Sequence, residues 1–227
     1  MGVHSDLWKE RLEIPAYRVG EAASYANISP QTVAAWEGHR SKASGAVSAR
    51  PSGEGLTFLQ LIEVGVVADL RREGVKLDRI RRARDYFARV LGVTYPFARE
   101  KFKTDGVNIL LEFTDAGGNS LQDRLVVSDE SGQLIWADFL QASFKEFNYL
   151  EGTVVRWHLA GANSEVVVDP RFCFGAPSVR GIKTAAIKNE WAIGSSIDEI
   201  SEDFSIPTSS VTDALRFEKI FHLEASG

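Results

Sequence analysis

The chain has 227 residues, of which 44% are hydrophobic and 25% charged, which excludes a disordered chain and favours two or three small packed domains. No apolar run approaches the roughly 20 residues that cross a bilayer, and residues 1–11 lack the apolar core of a signal peptide, so we expect a cytoplasmic protein. The single cysteine, Cys173, excludes an intramolecular disulfide, and with the four scattered histidines it forms no zinc-ligand pattern, so we expect no metal and no cofactor.

The net charge of -5 hides an uneven distribution. Residues 1–103 hold 17 Lys and Arg against 12 Asp and Glu, whereas residues 104–227 hold 9 against 19. A basic first half suits contact with phosphates, and an acidic second half is repelled by DNA and suits a basic protein partner. Chance asymmetry between two ordinary solvated surfaces is the alternative, and the sequence leaves it open.

Residues 17–37 divide at Asn27-Ile28 into two short helical pieces. The second piece begins with Ser29 as its N-cap and Pro30 at the first helical position. Apolar residues at helical spacing form the inward faces of the two pieces, namely Val19, Ala22, Ala23 and Ala26, then Val33 and Trp36. The pattern predicts a helix-turn-helix.

The second helix of a helix-turn-helix enters the major groove of DNA with its N-terminus first. Gln31 can form two hydrogen bonds with adenine, Thr32 can bond to a base or a phosphate, and Ala35 is small enough to touch a thymine methyl group. A helical hairpin used only for packing is the alternative, but it would rather bury apolar residues where this helix exposes polar ones. With basic neighbours added for the phosphates, the predicted DNA contacts are Arg18, Ser29, Gln31, Thr32, Ala35, Arg40, Lys42 and Arg50.

Residues 39–55 are rich in Ser, Gly, Ala and Arg and predict a loop that forms a hairpin or wing. Residues 57–90 return to helical periodicity and predict two helices that separate near Gly74. The second of these contains the run RRARDYFAR, and with the preceding Asp-Arg it places Arg79, Arg82 and Arg89 on one side. A solvated charged face, contact with the DNA backbone and a grip on a protein partner all fit this run.

Four motifs in the first part of the chain carry a family resemblance: VGEAA at 19–23, SPQTV at 29–33, WE at 36–37 and EGVKLDRI at 73–80. With them, residues 17–91 resemble the DNA-binding domain of the MerR-type regulators, in which a helix-turn-helix is followed by a wing and two further helices. That family usually carries arginines in the recognition helix where this chain has Gln31 and Ala34, and this chain lacks the long dimerising coiled coil and the ligand-binding cysteines of the metal-responsive members. The resemblance implies a MerR-like winged helix-turn-helix domain over residues 1–92.

The middle of the chain changes to short apolar, β-branched or aromatic runs between turn sequences: NILLEF, RLVVSD, QLIWADFL and EGTVVRWHLA. They predict a small antiparallel sheet over about residues 107–168. Two recognition helices one DNA turn apart need a two-fold partner, so the β-rich section, residues 93–164, is a candidate dimerisation element. We interpret His158 as structural and find no catalytic constellation or phosphate-binding glycine loop, so we expect no enzyme and no catalytic residue.

Residues 165–227 predict a helical C-terminal domain. Gly175, Pro177 and Gly181 predict a compact turn, and residues 196–204 and 208–221 predict two helices that form a second helix-turn-helix-like unit. Its predicted buried set is Ile197, Ile200, Phe204, Val211, Leu215 and Phe217. The chain as a whole is therefore predicted to be an α+β protein with an N-terminal winged helix-turn-helix, a central β section and a helical C-terminal domain.

A second resemblance rests on DP at 169–170, FGAP at 174–177, VRGIK at 179–183, IGSSIDEI at 193–200 and VTDALRFE at 211–218. With these motifs, residues 165–219 resemble a small bacterial family catalogued as a domain of unknown function and found in antitoxins of the VapB type; that family favours Thr-Arg where this chain has Ile182-Lys183. The resemblance implies an antitoxin that represses its own operon and is paired with a PIN-fold ribonuclease toxin. A stand-alone MerR-like regulator that responds to a small effector is the alternative function.

Two sets of charged residues are candidates for contact with such a toxin. Arg180 or Lys183 could enter a carboxylate site of the nuclease. An acidic cluster could instead cover the basic surface that attracts RNA, although acids early in a helix also favour the helix dipole and stay solvated. The cluster consists of Asp198, Glu199, Glu202 and Asp203. Alternatively, the C-terminal helix pair contacts DNA through Thr208, Ser209, Ser210 and Arg216, with Asp213 facing phosphate unfavourably.

Overall fold

The computed structural model describes residues 7–37, 45–100, 102 and 144–220. These residues form helices and an antiparallel sheet, which confirms the α+β class. They cluster into two compact units: a helical unit, Leu12–Lys145 with Tyr149–Val154, and a C-terminal unit, Val155–Gly227 with Met1–Arg11 and Glu146–Asn148. The predicted strands NILLEF, RLVVSD and QLIWADFL lie outside the described residues, and the division into three domains at residues 92 and 164 stays a prediction.

Two long helices form the centre of the helical unit. Helix α1 (Leu7–Glu13) precedes two short helices, α2 (Val19–Tyr25) and α3 (Pro30–Trp36), and the long pair α4 (Phe58–Arg72) and α5 (Leu77–Leu91) follows. Twelve of the fifteen residues of α4 are buried, because α4 packs against α2, α5 and a short 3₁₀ helix at Pro96–Ala98. The two helices expected in residues 57–90 are thus confirmed.

Local capping explains where α4 begins. The Thr57 hydroxyl accepts the Gln60 N–H at 3.2 Å, and the Gln60 side-chain oxygen accepts the Thr57 N–H at 2.8 Å. This reciprocal pair satisfies two backbone donors that a helix start leaves without partners. In the core of the unit, Phe87 of α5, Phe97 and Phe144 pack their rings around Phe102, with ring centroids 4.7, 4.8 and 5.5 Å away. Aromatic packing therefore closes the core of the unit.

Helices α2 and α3 pack against each other across a four-residue turn, residues 26–29. Asn27 turns the chain with a φ of 53°, a value that asparagine tolerates better than most residues. The apolar faces predicted from the sequence are confirmed, since Ala22, Ala23, Ala26, Val33 and Trp36 are all buried. Val19 is half-buried.

A five-stranded sheet has the order β1-β2-β3-β4-β5. The strands are β1 (Phe147–Leu150), β2 (Thr153–His158), β3 (Val167–Val168), β4 (Ser178–Val179) and β5 (Ile182–Lys183). Antiparallel register pairs Trp157 with Val168, Val167 with Ser178, and Val179 with Ile182. The predicted strand in EGTVVRWHLA is confirmed as β2. Where the sequence predicts a compact turn, β4 and β5 form a hairpin around Arg180 and Gly181, both with positive φ, as a two-residue type I′ turn requires.

Three helices complete the C-terminal unit: α6 (Thr184–Ala192), α7 (Ile197–Phe204) and α8 (Thr208–Phe217). Their shared core includes Ile200, Val211 and Leu215, and Ile197, Phe204 and Phe217 pack partly buried against it, as the sequence predicts. Helix α8 ends at Phe217, four residues before the predicted end. Helix α6 is not predicted from the sequence, because only Thr184 and Ile187 of this helix are buried and it carries no apolar stripe. Within the described ranges, no helix combines the length and apolar character that a membrane span requires.

Candidate nucleic-acid and partner interfaces

The start of α3 presents a small polar surface. Gln31 and Ala35 are exposed, and the Gln31 side chain makes no hydrogen bond with the described part of the chain. The Ser29 hydroxyl accepts the Thr32 N–H at 3.2 Å and bonds to the Thr32 hydroxyl at 2.8 Å. Ser29 and Thr32 therefore fix the start of the helix, while Gln31 keeps its donor and acceptor atoms available.

The structure gives different surroundings to the basic residues predicted to contact phosphate. Arg18 is exposed just before α2, and its guanidinium has no ion-pair partner among the described residues. Arg50 instead donates from Nε to the Glu37 carboxylate at 2.6 Å and from Nη1 to the Glu54 carbonyl. The Glu37 side chain is only 1% exposed, so this pair ties the chain after the loop to the end of α3. Arg40 and Lys42 lie outside the described residues.

Backbone contacts fix the chain where the predicted wing returns to the fold. The Trp36 carbonyl accepts the N–H groups of Ala46 and Val47 at 2.7 and 3.3 Å. A Cβ atom on Gly45 would lie 2.6 to 2.9 Å from the carbonyl oxygens of Val47, Trp36 and Glu37. Only glycine permits this close approach, so Gly45 holds the start of residues 45–50 against the end of α3.

A buried carboxylate also holds residues 45–50, which belong to the predicted wing. Glu63, fully buried in α4, accepts the Ser48 N–H at 2.7 Å, and its other oxygen lies 3.5 Å from Arg84 Nε. Burial raises the pKa of Glu63 to about 7, although Arg84 and Ser48 act in the opposite direction. Gln60, one turn earlier, donates to the carbonyls of Ser48 and Ala49 at 3.2 and 3.0 Å. Glu63 is absent from the residues predicted from the sequence, although an acid inside the apolar run LQLIEVGVVADL is a detectable signal.

The arginines of α5 divide by partner. Arg84 faces Glu63, and Arg81 pairs with Asp78 at 3.3 Å. Arg82 and Arg89 are exposed, and Arg89 Nε donates to the Asp85 carbonyl at 3.3 Å. Only part of the basic run is therefore available to an external phosphate or carboxylate.

In the C-terminal unit, Arg180 is already paired. Its guanidinium donates to both Glu165 oxygens at 3.0 and 2.8 Å, and the Ser210 hydroxyl donates to the same carboxylate. These hydrogen bonds from Arg180 and Ser210 lower the pKa of Glu165. Ser210 is buried, and Arg216 lies 3.7 Å from Asp213, which weakens the alternative that this helix pair contacts DNA. Lys183 is exposed and has no ion-pair partner among the described residues.

The acidic cluster lies on exposed positions of α7. The Glu199 carboxylate accepts the N–H and the hydroxyl of Ser196, both at 2.8 Å, and these bonds lower the pKa of Glu199. Glu199 therefore caps its own helix. Asp198, Glu202 and Asp203 are exposed and have no ion-pair partner in the described part of the chain.

His158 has the structural role that we inferred. It lies in β2, with Nδ1 2.8 Å from the Ser164 carbonyl oxygen and Nε2 2.9 Å from Asn148 Oδ1. Within the described ranges, no three His, Cys, Asp or Glu side chains form a group that could hold a metal ion.

Within the C-terminal unit, residues 166–217 match a family described as "Protein of unknown function (DUF433)". A protein of Mycobacterium tuberculosis (strain ATCC 25618 / H37Rv) named "Putative antitoxin VapB45" is 25% identical over an alignment of 227 residues, which covers 90% of this chain and 94% of the relative. The crystal structure of Rv2018 from Mycobacterium tuberculosis matches with a TM-score of 0.74 and 24% identity, and covers 90% of this chain and 99% of that chain. That structure therefore shares the fold.

Proposed function

We propose that this chain is an antitoxin that binds and neutralises a PIN-fold ribonuclease toxin and represses its own operon by sequence-specific DNA binding. The observation that carries the proposal is the likeness to a protein named as an antitoxin over nearly the full length of both chains. A shared domain alone would match only one end. In this proposal the chain acts in the cytoplasm, where its DNA and its toxin are found, and it has no catalytic role.

For the DNA-binding step, we propose that α2, α3 and the following loop work as a MerR-like winged helix-turn-helix. The capped start of α3 supports this, because it exposes Gln31 where a recognition helix meets base edges. Arg18, Arg40 and Lys42 would contact phosphates. Arg50, Gln60 and Glu63 would act indirectly, by fixing the return of the wing.

For the assembly, we propose a homodimer, which joins the toxin as a hetero-oligomer. Two recognition helices must lie about one turn of DNA apart, and a two-fold axis provides that spacing. The β-rich section that we assign to dimerisation falls largely outside the described residues. A monomer mass in light scattering that stays unchanged on addition of operator DNA would refute the dimer.

The first experiment is a mobility shift of the purified full-length chain with the DNA upstream of its own gene. It is run at two salt concentrations with a random-sequence competitor. We expect competitor-resistant binding that weakens with salt. Replacing Gln31 and Thr32 with alanine should relax base preference, whereas replacing Arg40 and Lys42 should weaken binding to all sequences. Asn189→Ala, an exposed amide of the C-terminal unit, is the matched control.

The antitoxin half needs its own assay. The nuclease encoded in the same operon is expressed with and without this chain, and growth and RNA cleavage are measured. Restored growth and protected RNA support neutralisation. Specific DNA binding without any effect on a nuclease would instead favour a stand-alone regulator, and no specific DNA binding would confine the proposal to the C-terminal half.

A further inference from the structure

A short loop of the C-terminal unit exposes two large aromatic side chains. We call residues 172–175, which include the 3₁₀ helix Cys173–Gly175, the phenylalanine loop. Phe174 is 90% exposed and Phe172 is 50% exposed. Phenylalanine rings rarely stay this exposed without a reason, since burying an aromatic ring is among the largest apolar gains that a side chain can make. The loop therefore invites a functional explanation.

This exposure is not the result of a loosely held loop. Just before it, the fully buried Asp169 carboxylate accepts the Arg171 N–H at 3.0 Å and two bonds from the Arg171 guanidinium at 2.9 and 2.6 Å. Arg156 Nε donates to the same carboxylate at 3.1 Å. Within the loop, the Phe172 carbonyl accepts the Gly175 N–H at 2.9 Å, and Cys173 Sγ donates to the Gly181 carbonyl at 3.0 Å. The fold thus holds the backbone from which the two rings project.

The backbone of the loop is also strained. Cys173 and Phe174 have φ values of 51° and 56°, in the left-handed region that bulky residues rarely adopt. Glycine would adopt this conformation without cost. A bulky residue that is both strained and solvent-exposed does not stabilise the isolated chain, and strain of this kind is concentrated at ligand clamps and other functional sites.

The surrounding sequence gives the loop a positive border. Residues 170–189 contain four basic residues and no acidic residue, namely Arg171, Arg180, Lys183 and Lys188. Acids from outside this stretch compensate Arg180 and Lys188, which pair with Glu165 and Glu218. Arg171 shares the single charge of Asp169 with Arg156, so positive charge stays in excess there. Residues 190–215 contain six acidic residues and no basic residue. The Arg171 guanidinium lies 5.9 Å from the Phe172 ring, and Lys183 is without an ion-pair partner among the described residues. A partner surface that receives the two rings should therefore carry carboxylates around its pocket, because opposite charges across an interface attract.

We propose that the phenylalanine loop is the anchor through which this chain docks onto its protein partner, and that the partner offers an apolar pocket bordered by carboxylates. The inference rests on the proposed function, in which that partner is the nuclease toxin. A pre-ordered loop loses little conformational entropy on binding, and aromatic side chains seated in a desolvated pocket carry much of the energy of an interface. The basic border around the loop, rather than the acidic cluster of α7, then meets the toxin.

The test measures binding of the full-length chain to the purified nuclease of the same operon by calorimetry. Phe174→Gly removes the ring and relieves the strained backbone, so its Tm should equal or exceed that of the wild type while affinity falls about 30-fold, the loss typical of one strong interface residue. A loss of affinity without a loss of stability separates docking from folding. Ile193→Ser, which removes a side chain that is 78% exposed elsewhere in the unit, is the matched control and should bind normally.

A charge pair completes the test. Lys183→Glu should weaken binding, and Glu202→Lys on α7 should leave it unchanged, because only the first lies in the basic border. Normal nuclease binding by both Phe174→Gly and Phe172→Ser would overturn the docking proposal and leave the antitoxin function intact. Failure of the wild type to bind the nuclease would overturn both. If Phe174→Gly changes only the mass of the chain alone, the loop joins two copies of this chain and the proposal is wrong.

Discussion

Two fully buried carboxylates, Glu63 in the helical unit and Asp169 in the C-terminal unit, hold the chain next to a candidate contact surface in different ways. Glu63 accepts the N–H of Ser48 and faces one guanidinium at 3.5 Å. Asp169 accepts the N–H of Arg171 and faces two guanidinium groups, at 3.1 and 2.6 Å. The first carboxylate fixes residues 45–50 of the predicted wing, and the second fixes the residues just before the phenylalanine loop.

The difference lies in how fully each charge is compensated. A buried carboxylate is tolerable only where donors replace the water that it has lost. Glu63 has few donors, which is why burial raises its pKa to about 7, so its charge, and with it the hold on Ser48, changes near neutral pH. Asp169 accepts more hydrogen bonds, and both of its ion pairs are shorter than the one between Glu63 and Arg84. We therefore expect the stability of the contact between Glu63 and residues 45–50 to depend on pH. The phenylalanine loop should instead stay fixed by the ion pairs of Asp169 with Arg156 and Arg171.

The largest expected effect follows removal of the Asp169 carboxylate. Asp169→Ala leaves Arg156 and Arg171 without their shared acceptor and should lower the free energy of unfolding by about 3 to 5 kcal/mol, the usual cost of breaking a buried pair. Urea unfolding followed by circular dichroism measures it. Asp213→Ala, which breaks the more exposed 3.7 Å contact with Arg216, is the control and should cost less than about 1 kcal/mol. Equal losses of unfolding free energy for the two variants would show that the ion pairs of Asp169 stabilise the fold no more than an exposed pair does.

The second prediction concerns pH. The pKa of Glu63 is about 7 in the fold and near its ordinary value of 4.5 in the unfolded chain, so between these values the folded state binds more protons. The contribution of Glu63 to stability is therefore full below pH 4.5 and is lost as pH rises to about 7, in total about 3 kcal/mol at 1.36 kcal/mol per pKa unit. Glu63→Gln should remove this dependence.

Urea unfolding of both proteins at several pH values between 4 and 8 gives the measurement. Glu54→Gln, which changes an exposed acid near the wing, serves as the control and should keep the wild-type profile. If the free energy of unfolding of Glu63→Gln varies with pH as that of the wild type does, Glu63 ionises without cost. Residues 45–50 would then be held as firmly as the phenylalanine loop.

Sequence patterns were sufficient for the elements with strong periodicity or clear caps. Ser29-Pro30 marks the start of α3, and the apolar spacing of residues 57–90 predicts α4 and α5. Such signals are local, because a cap or an apolar stripe needs only a few neighbouring residues. Helix α6 and the two-residue strands lack them, since their order depends on contacts with residues distant in sequence.

The same distinction applies to the candidate sites. Exposure of Gln31 follows from its place on the outer face of a capped helix and could be inferred from the sequence. Three other features could not be inferred from the sequence, because each depends on how separate segments meet. They are the pairing of Arg50 with Glu37, the pairing of Arg180 with Glu165 and the exposure of Phe174. From the sequence alone, a charged loop residue that faces solvent cannot be distinguished from one that pairs with a buried residue.

A substitution with a smaller expected effect tests how rigidly residues 45–50 are held against α3. Gly45→Ala places a Cβ within 2.9 Å of three backbone oxygens, so the backbone must shift, and we expect a loss of about 1 to 3 kcal/mol of stability. Gly20→Ala in α2 meets no atom within 4 Å and should stabilise the protein by about 0.5 to 1 kcal/mol through helix propensity. Thermal unfolding compares the two. If Gly45→Ala leaves the stability unchanged, the backbone of residues 45–50 can shift without cost. The bonds of Glu63 and Gln60 to this segment then do not hold it rigidly.

The smallest effect compares the two units as DNA-binding surfaces. Arg18→Ala removes an exposed guanidinium of the helical unit, and Arg216→Ala removes one of the C-terminal unit. If the helical unit alone binds DNA, Arg18→Ala should reduce the slope of log affinity against log salt by about 0.9, the value for one phosphate contact, and Arg216→Ala should leave the slope unchanged. Fluorescence anisotropy with operator DNA at four salt concentrations measures both slopes. The reverse result would assign DNA binding to α7 and α8, and because four carboxylates lie exposed on α7 it would also require that helix to face away from the duplex.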